Sequence, residues 1–337
     1  MWSTTQAHEW FNLQDWLVGC NLLPHQYVNS TEMWQEETFD LDAIAWELGI
    51  AERLGLNTVR VFLPYLVWRS NPDGFIRRLS QFLDRAQEHG QGVMPVLLDD
   101  CKFSGAEPYL GAQQPSQPGR ILSSWTPSPG HDVVRDPQQR PAVEDYVHSV
   151  VSRFANDSRV LIWDIYNEPG NFGLGDETVP LMQRAFAAAR EADPCQPLTA
   201  GVWKPPTFAT GYERAALDLS DIVSFHCYEN FDDTLAAISA LREFDRPILC
   251  TEWMARPRNS LFKTHLPLFR QEHIGCYSWG LVNGRAQTQF AWDTQGNAED
   301  SDPWFHDLAR PDGTPYDLAE WEQIRWETAS VRGEQVD

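Results

Sequence analysis

The sequence has few lysines, a deficit of basic residues and no long apolar run. The lysines are Lys102, Lys204 and Lys263, and 26 basic residues stand against 48 acidic ones. The net charge of -22 repels nucleic acid and anionic membranes, so neither is expected as a partner. No stretch approaches the ~18 consecutive apolar residues of a membrane span. These features favour a soluble protein with a neutral or cationic ligand.

Cysteine is also sparse, and its spacing excludes the common metal motifs. The chain has no Cys-x-x-Cys and no Cys/His cluster, so we predict neither a zinc site nor a disulfide framework. Nothing else in the sequence implies a metal or an organic cofactor, and we predict neither. Buried free thiols are the expected state of the six cysteines. The first six residues lack the basic and apolar segments of a signal peptide, which predicts a cytoplasmic location.

Tryptophan, by contrast, is abundant, with 15 residues. Its flat face can stack on the apolar face of a sugar ring, and its N–H needs a hydrogen-bond partner when buried. The excess agrees with a carbohydrate ligand. We expect Trp203 and Trp253 to pack in the barrel core, whereas Trp125, Trp292 and Trp304 fall in predicted loops and are candidate ligand contacts.

Strand-like and helix-like segments alternate along the chain. The predicted strands span residues 18–23, 57–63, 93–98, 160–166, 197–203, 222–228, 247–252 and 276–282. The predicted helices span residues 40–54, 74–89, 140–155, 178–191, 232–244, 262–273 and 318–326. Eight strands alternating with helices predict parallel pairing and a single (β/α)8 TIM barrel of the α/β class over residues 1–337. An open doubly wound sheet is the alternative, but no Gly-x-Gly-x-x-Gly follows the first strand.

Three connections are long, and all leave the carboxyl ends of strands. They are residues 101–139 after strand three, 204–220 after strand five and 283–317 after strand eight. Barrel active sites are built at this end, so we predict that these loops wall a partly closed pocket. For residues 111–120 we favour surface decoration instead.

Two glutamates end predicted strands. Glu168 follows strand four in Asn167-Glu168-Pro169, and Glu252 ends strand seven. Paired carboxylates facing one pocket are what glycosidic bond cleavage needs, one to protonate the leaving oxygen and one to attack or to activate water. Either glutamate alone could be a plain strand terminus or half of a structural ion pair. Together they favour a glycosidase.

Other strand ends extend this pattern. Arg60 lies in strand two, His226-Cys227-Tyr228 ends strand six, and Trp279 lies in strand eight. With the two glutamates, this set resembles clan A of the glycoside hydrolases, retaining enzymes on a (β/α)8 barrel. The cellulase-like glycoside hydrolase family 5 is its nearest large member. The resemblance covers almost the whole chain.

The resemblance implies a role for each matching residue. Glu168 would be the general acid and then the general base, with a raised pKa, and Glu252 the ionised nucleophile. Arg60 would supply positive charge beside Glu252, and Tyr228 would donate a hydrogen bond to it. In a retaining enzyme the two carboxyl groups should lie about 5 to 5.5 Å apart.

The remaining matches concern the substrate. Asn167 would bind the sugar 2-hydroxyl, Trp279 would form a floor for the ring, and His226 would orient its neighbours or bind a hydroxyl. Asn21 and Asp99 are further candidates for the pocket wall. Looser candidates in the loops are His25, Asn283, Arg285 and Gln287.

One segment departs from the family pattern. Many cellulase-like relatives carry a histidine after strand three, where this chain has Asp99-Asp100-Cys101-Lys102. Acidic groups there would bind hydroxyls or a cationic sugar, which puts cellulase specificity in doubt.

The sequence therefore predicts a retaining β-glycoside hydrolase acting on β-linked oligo- or polysaccharide by double displacement, with exo-action suggested by the long loops. Two alternatives stay open. A Schiff-base aldolase would use Lys102 or Lys204, which follow strands three and five. A catalytically silent sugar-binding barrel is the other. No oligomeric state is predicted.

Overall fold

The computed structural model describes residues 1–293 and 302–332, and within them eight β-strands form one closed barrel. The strands are β1 (Val18–Asn21), β2 (Thr58–Phe62), β3 (Gly92–Asp99), β4 (Trp163–Asn167), β5 (Leu198–Val202), β6 (Val223–His226), β7 (Ile248–Trp253) and β8 (Gly275–Trp279). Each strand pairs in parallel with the next, and β8 pairs with β1. The predicted (β/α)8 barrel is confirmed, and the open doubly wound sheet is wrong.

Twelve α-helices lie in the same described ranges. They are α1 (Thr4–Asn12), α2 (Ser30–Trp34), α3 (Leu41–Arg53), α4 (Tyr65–Ser70), α5 (Pro72–Glu88), α6 (His131–Arg135), α7 (Arg140–Arg153), α8 (Val179–Glu191), α9 (Gly211–Leu219), α10 (Phe231–Leu241), α11 (Phe262–Gln271) and α12 (Leu318–Arg332). Short 3-10 turns span Asn171–Gly173, Gly175–Thr178, Arg242–Phe244 and Arg256–Arg258. None of these helices is long and apolar enough to cross a bilayer.

Helix α3 shows how the sequence sets the outer ring. Asp40 caps it, with a side-chain oxygen that accepts two backbone N–H groups of the first turn. Ile44, Leu48 and Ala51 recur at helical spacing and are buried on one face. Gly55, with φ of 75°, follows the helix in the left-handed region that commonly ends helices.

The connection 204–220, predicted to be a loop, contains helix α9. Thr210 and Glu213 form a capping box, and Ala216 and Leu217 bury one side of the helix. The prediction was wrong because Pro205, Pro206 and Gly211 are loop signals, and they outweighed a helix of only nine residues. Helices α1, α2, α4 and α6 have nine residues or fewer and were not predicted. Residues 294–301 of the predicted loop after strand eight lie outside the described residues.

The amino end of the barrel is apolar. Met94, Ile162, Leu249 and Tyr277 form a buried cluster there, and α1 packs against it through Ala7. Apolar side chains therefore fill this end, and α1 covers it.

The strand register brings the predicted site residues to one level at the opposite, carboxyl end. Parallel strands end at the same edge of the sheet, so residues paired in register become neighbours. The relevant pairs are Asn21 with Arg60, Asn21 with Trp279, Asp99 with Asn167, and His226 with Glu252.

Candidate active site

A cavity of about 360 Å³ opens at the carboxyl end of the barrel. Glu168 and Glu252 line it, and eight aromatic side chains form much of its wall. These are Phe62, Phe103, Trp125, Phe172, Trp203, Tyr228, Trp279 and Trp292. Apolar walls with a few convergent polar groups are typical of a small-molecule site.

A larger groove, of about 800 Å³, lies at the amino end beside α1. Its charged residues include Asp15, Arg242, Asp245 and Glu272. We place the candidate active site in the smaller cavity, because Glu168 and Glu252 lie within 4.8 Å of each other there, in surroundings that partly exclude water.

The two glutamates converge on that cavity. One carboxylate oxygen of Glu168 lies within 4.8 Å of one of Glu252. Nδ1 of His226 lies between them, 2.7 Å from Oε1 of Glu168 and 3.4 Å from Oε2 of Glu252. This spacing suits a substrate bond held between the carboxyl groups of Glu168 and Glu252.

Glu252 is held by a cation and a hydroxyl. Nη1 of Arg60 donates to its Oε1 at 2.8 Å, and the hydroxyl of Tyr228 donates to its Oε2 at 2.8 Å. Burial and, to a smaller extent, the neighbouring Glu168 raise the pKa of Glu252, whereas His226, Arg60 and Tyr228 lower it against the effect of burial.

Arg60 is fully buried and fixes several polar side chains at once. Besides Glu252 it donates to Oδ2 of Asp164 at 2.7 Å, to Oδ1 of Asn21 at 2.7 Å and to Oδ1 of Asn167 at 2.6 Å. Burial lowers the pKa of Arg60, but Asp164 and Glu252 together raise it above its ordinary value. The guanidinium is therefore charged and orients both asparagines.

Glu168 has neutral partners. Nδ2 of Asn171 donates to its Oε2 at 2.5 Å, and Sγ of Cys101 lies 3.1 Å from the same oxygen. Burial raises the pKa of Glu168, and these two hydrogen bonds reduce the increase. Its backbone φ of 45° lies in the left-handed region, an arrangement that concentrates at functional sites.

His226 is a neutral donor. Burial lowers its pKa to about 3. Since both neighbouring carboxyl groups accept, we assign the ring hydrogen to Nδ1. Nε2 faces β5, where a Cβ on Gly201 would lie 2.7 Å from it. Glycine at that position therefore allows the ring to fit.

The sequence matches a protein-family model that agrees with this geometry. The family model for cellulase (glycosyl hydrolase family 5) matches residues 28–305. The chain belongs to glycoside hydrolase family 5. It is a glycoside hydrolase, and the predicted family resemblance is confirmed. No curated protein matches the sequence.

Solved structures share the fold of this glycoside hydrolase. The exo-beta-1,4-mannosidase from Opitutaceae bacterium strain TAV5 has a TM-score of 0.65 at 17% identity, covering 94% of this chain and 59% of that one. GH5_18 from Streptomyces cattleya, solved with GlcNAc, gives 0.62 at 14% identity over 95% and 81%. The endo-beta-1,4-mannanase from Thermotoga petrophila gives 0.62 at 13% identity over 97% and 79%. This chain thus spans less than two thirds of the Opitutaceae mannosidase.

Two predicted site residues lie behind the cavity wall of the hydrolase. Asn21 is buried, and its Nδ2 donates to the backbone oxygen of Thr251 at 2.9 Å. Asp99 accepts from Nδ2 of Asn167 at 2.8 Å, Nε1 of Trp125 at 2.8 Å and the backbone N–H of Cys101 at 2.9 Å. Neither Asn21 nor Asp99 lines the cavity.

Contrary to our expectation, Asp99 and Asp100 do not line the cavity. Burial raises the pKa of Asp99 to about 6 and that of Asp100 to about 7. Asp100 accepts from the hydroxyl of Tyr166 at 2.7 Å and from the backbone N–H of Gly170 at 2.7 Å. Protein donors thus occupy both carboxyl groups.

The tryptophans divide differently from the prediction. Trp203, expected in the core, is half-buried and lines the cavity, with Nε1 donating to the backbone oxygen of Pro169 at 3.1 Å. Trp253 packs in the core as expected. Trp304, a predicted ligand contact, stacks instead on Tyr316 with 4.3 Å between ring centroids. The strand-eight Trp279 lines the cavity.

The looser loop candidates are engaged elsewhere. None of the four lines the cavity. Their partners are Glu47 for His25, Asp307 for Asn283, Glu32 for Arg285, and the backbone N–H of Gly119 for Gln287.

The lysines are placed poorly for Schiff-base chemistry. Lys102 pairs with Glu107 at 2.5 Å, and Nζ of Lys204 lies 4.7 Å from the centroid of a Trp203 ring. Neither lysine lines the cavity, and family membership does not support an aldolase. The expectation that all cysteines are buried is also wrong, because Cys195 is exposed.

Glu168, His226 and Glu252 are close enough together to hold one cation. A cation at Glu252 would compete with the Arg60 guanidinium on the same carboxylate. The donor set thus fits a sugar between two carboxyl groups better than a metal.

Sequence reasoning missed Cys101 and Asn171 as partners of Glu168. Cys101 was visible at the end of strand three, but a thiol signals packing more often than chemistry. Asn171 lies three residues after Glu168 in an irregular turn, where sequence gives no periodic signal.

Proposed function

We propose that this hydrolase is a retaining, exo-acting β-glycosidase that works by double displacement. Glu168 is its acid and base, and Glu252 its nucleophile. The observation that carries the proposal is the approach of the two carboxylates to within 4.8 Å. Retaining enzymes hold these groups about 5 to 5.5 Å apart, whereas inverting enzymes need roughly 6.5 Å or more to admit a water molecule.

The protonation states follow from the partners. Two carboxyl groups this close do not ionise independently, because a charge on one disfavours a charge on the other. Glu252 has the charged Arg60 in direct contact and is the group that ionises first. Glu168 has only neutral donors, and burial raises its pKa, so it keeps the proton.

The reaction then runs in two steps. Glu168 gives its proton to the glycosidic oxygen while Glu252 attacks the anomeric carbon, so the bond to the leaving alcohol breaks and a glycosyl ester forms. Glu168, now a carboxylate, removes a proton from water. The hydroxide oxygen attacks the same carbon and releases Glu252. Two inversions give a sugar of retained configuration.

Asn167 and Trp279 suit the sugar at the cleavage point. Arg60 and Asp99 fix the amide of Asn167 at the cavity wall beside Glu168. From there it is placed to hydrogen-bond the 2-hydroxyl, a contact that strengthens in the transition state. Trp279 offers an aromatic surface under the ring.

A tie between two loops supports exo-action. The backbone N–H of Leu122, after β3, donates to the backbone oxygen of Ala286, after β8, at 2.8 Å. The backbone N–H of Gly119 donates to Oε1 of Gln287 at 2.9 Å. The tied segments pack with Phe62 in one apolar cluster above β2 and β8. This side of the cavity is therefore covered.

The covered side is the glycone side. The leaving alcohol must depart past Glu168, whose neighbours at the cavity are Asn171, Phe172 and Trp203. The tied loops lie across the barrel from these residues, next to β8, β1 and β2. A single terminal sugar fits between the tied loops and the residues beside Glu168. A polysaccharide chain that continued through the cavity would collide with the tied loops.

The test combines a panel of aryl β-glycosides, β-mannosides and β-glucosides among them, with NMR of the first product formed. We expect the β-anomer to appear first and to mutarotate later. Reduced β-linked oligosaccharides should lose single sugars from the non-reducing end. First formation of the α-anomer would refute double displacement, and internal cleavage would refute exo-action. Glu252→Gln serves as the inactive control.

The cytoplasmic location and the single domain over residues 1–337 stay predictions.

A further inference from the structure

The thiol of Cys101 sits against the proposed acid. Cys101 follows β3, lines the cavity and is 6% exposed. Its Sγ lies 3.1 Å from Oε2 of Glu168. The side-chain amides of Asn167 and Asn171 approach the same sulfur, with Nδ2 at 3.6 and 3.7 Å. The sulfur therefore lies at the edge of the apolar cluster around Phe62 and Trp125, where it joins a polar network.

The thiol hydrogen in this network points to Glu168. Both amide nitrogens are donors, so the sulfur accepts from them. Burial raises the pKa of the Cys101 thiol well above its ordinary value, so it stays protonated. Asp99 is the other carboxyl group beside it, and its oxygens already accept from Asn167, from Trp125 and from the backbone N–H of Cys101. The thiol also contacts Asp99, but the geometry directs the S–H to Oε2 of Glu168, 3.1 Å from Sγ.

We propose that Cys101 is a positioning residue for the acid and base of this hydrolase. Its S–H and the amide of Asn171 together hold Oε2 of Glu168 and stabilise the carboxylate left after proton transfer. The inference rests on the proposed function, in which Glu168 performs that transfer. Cys101 itself exchanges no proton with the substrate.

The other groups facing Glu168 cannot replace this donor. The titratable and charged groups around it are Arg60 from β2, Asp99 and Cys101 from the end of β3, His226 and Tyr228 from the end of β6, and Glu252 from β7. His226 binds the opposite oxygen, Oε1. Arg60 and Tyr228 donate to Glu252. Loss of the thiol thus leaves Oε2 with Asn171 alone.

The test compares Cys101→Ala and Cys101→Ser with Cys195→Ala, a thiol deletion on the exposed surface. In Cys101→Ala, the pKa of Glu168 should rise, so the alkaline limb of the kcat/KM profile moves to higher pH. Turnover of glycosides with poor leaving groups should fall about three- to tenfold, the effect of losing one neutral hydrogen bond. Aryl glycosides of strongly acidic phenols need little acid assistance and should be hardly affected.

Cys101→Ser restores a donor and should recover the wild-type limb and leaving-group dependence, whereas Cys195→Ala should change neither. The proposal is overturned if Cys101→Ala leaves the alkaline limb and the leaving-group dependence unchanged. It is also overturned if Cys101→Ala slows the turnover of all substrates equally without moving the alkaline limb. Thermal unfolding establishes that each variant is folded.

A carboxyl 13C NMR titration of Glu168, assigned with Glu168→Gln, measures the same pKa without turnover. A higher titration midpoint in Cys101→Ala would support the positioning role even if no β-glycoside is cleaved, in which case only the proposed function fails. An unchanged midpoint in an enzyme that retains configuration would remove the positioning role and leave the proposed function intact.

Discussion

Glu168 and Glu252 occupy the same cavity at similar depth, but their partners differ in charge. Glu252 receives hydrogen bonds from the Arg60 guanidinium and the Tyr228 hydroxyl. Glu168 receives them from the Asn171 amide and the Cys101 thiol, with neutral His226 on its other oxygen. Burial raises both pKa values.

The contrast shows how one site can hold an acid and an anion side by side. Desolvation acts on both carboxyl groups, so burial alone cannot distinguish them. A cation in contact favours the charged form of Glu252, whereas neutral donors align Glu168 and leave its proton in place. In the proposed mechanism, these partners therefore decide which glutamate gives a proton and which one attacks.

The largest expected effect comes from Glu252→Ala. Without the nucleophile, turnover should fall by roughly 10⁴-fold or more, the scale for a residue on which a covalent step depends. Azide added to this variant should restore turnover and give an α-glycosyl azide, because the anion attacks directly. Azide added to Glu168→Ala should give the β-product instead. If Glu252→Ala gave the β-product and Glu168→Ala the α-product, the roles of the two glutamates would have to be exchanged. Glu88→Gln, at an exposed position of α5, is the neutral control.

Glu168→Gln should have the next largest effect. Loss of a general acid costs about 10²- to 10⁴-fold. The loss should be greatest for poor leaving groups. The wild-type enzyme needs Glu168 protonated, so its activity should decline as the pH rises through the raised pKa of this group. That alkaline limb should be absent from the variant's profile. If the alkaline limb persists unchanged in Glu168→Gln, a group other than Glu168 causes it.

Arg60→Met tests the effect of the buried guanidinium on its two carboxylate partners. It leaves Asp164 and Glu252 buried without their shared partner, and breaking such a pair destabilises a protein by about 3–5 kcal/mol. Chemical denaturation measures this loss. The pKa of Glu252 should rise, moving the acid limb of the rate profile to higher pH. Arg60→Lys, which keeps the charge but not the fork of donors, should lie between wild type and Arg60→Met.

Tyr228→Phe should have the smallest effect. It removes one hydrogen bond to Oε2 of Glu252 and should reduce kcat/KM about tenfold. The acid limb should move to higher pH, because the lost donor stabilised the carboxylate, while the alkaline limb set by Glu168 should stay in place. Movement of both limbs would show that the two environments are not separate.

The barrel and the central pair of glutamates were within reach of the sequence. Alternating strands and helices carry the fold, and eight parallel strands present their carboxyl ends at one edge. Glu168 and Glu252 stand at such ends, and Arg60 pairs with Asn21 in the register of β1 and β2. Strand position alone thus predicts which side chains meet.

Two partners of Glu168 and part of the aromatic wall were not within reach. Cys101 and Asn171 follow strands, and the path of a loop depends on contacts far away in sequence. Trp203 follows β5 directly, where the chain has left the sheet and alternation no longer tells inside from outside. Asp99 shows the opposite failure, because it has a suitable charge but protein donors surround it.

Gly201 contributes no functional group, yet the geometry of the proposed site depends on it. A methyl group there would overlap the imidazole of His226, the ring that touches both glutamates. Even alanine at this position would push the ring toward the substrate space and change the angle at which acid and nucleophile face the anomeric carbon. Mutagenesis guided by reactive side chains alone would overlook this position, although a single added carbon would misalign both.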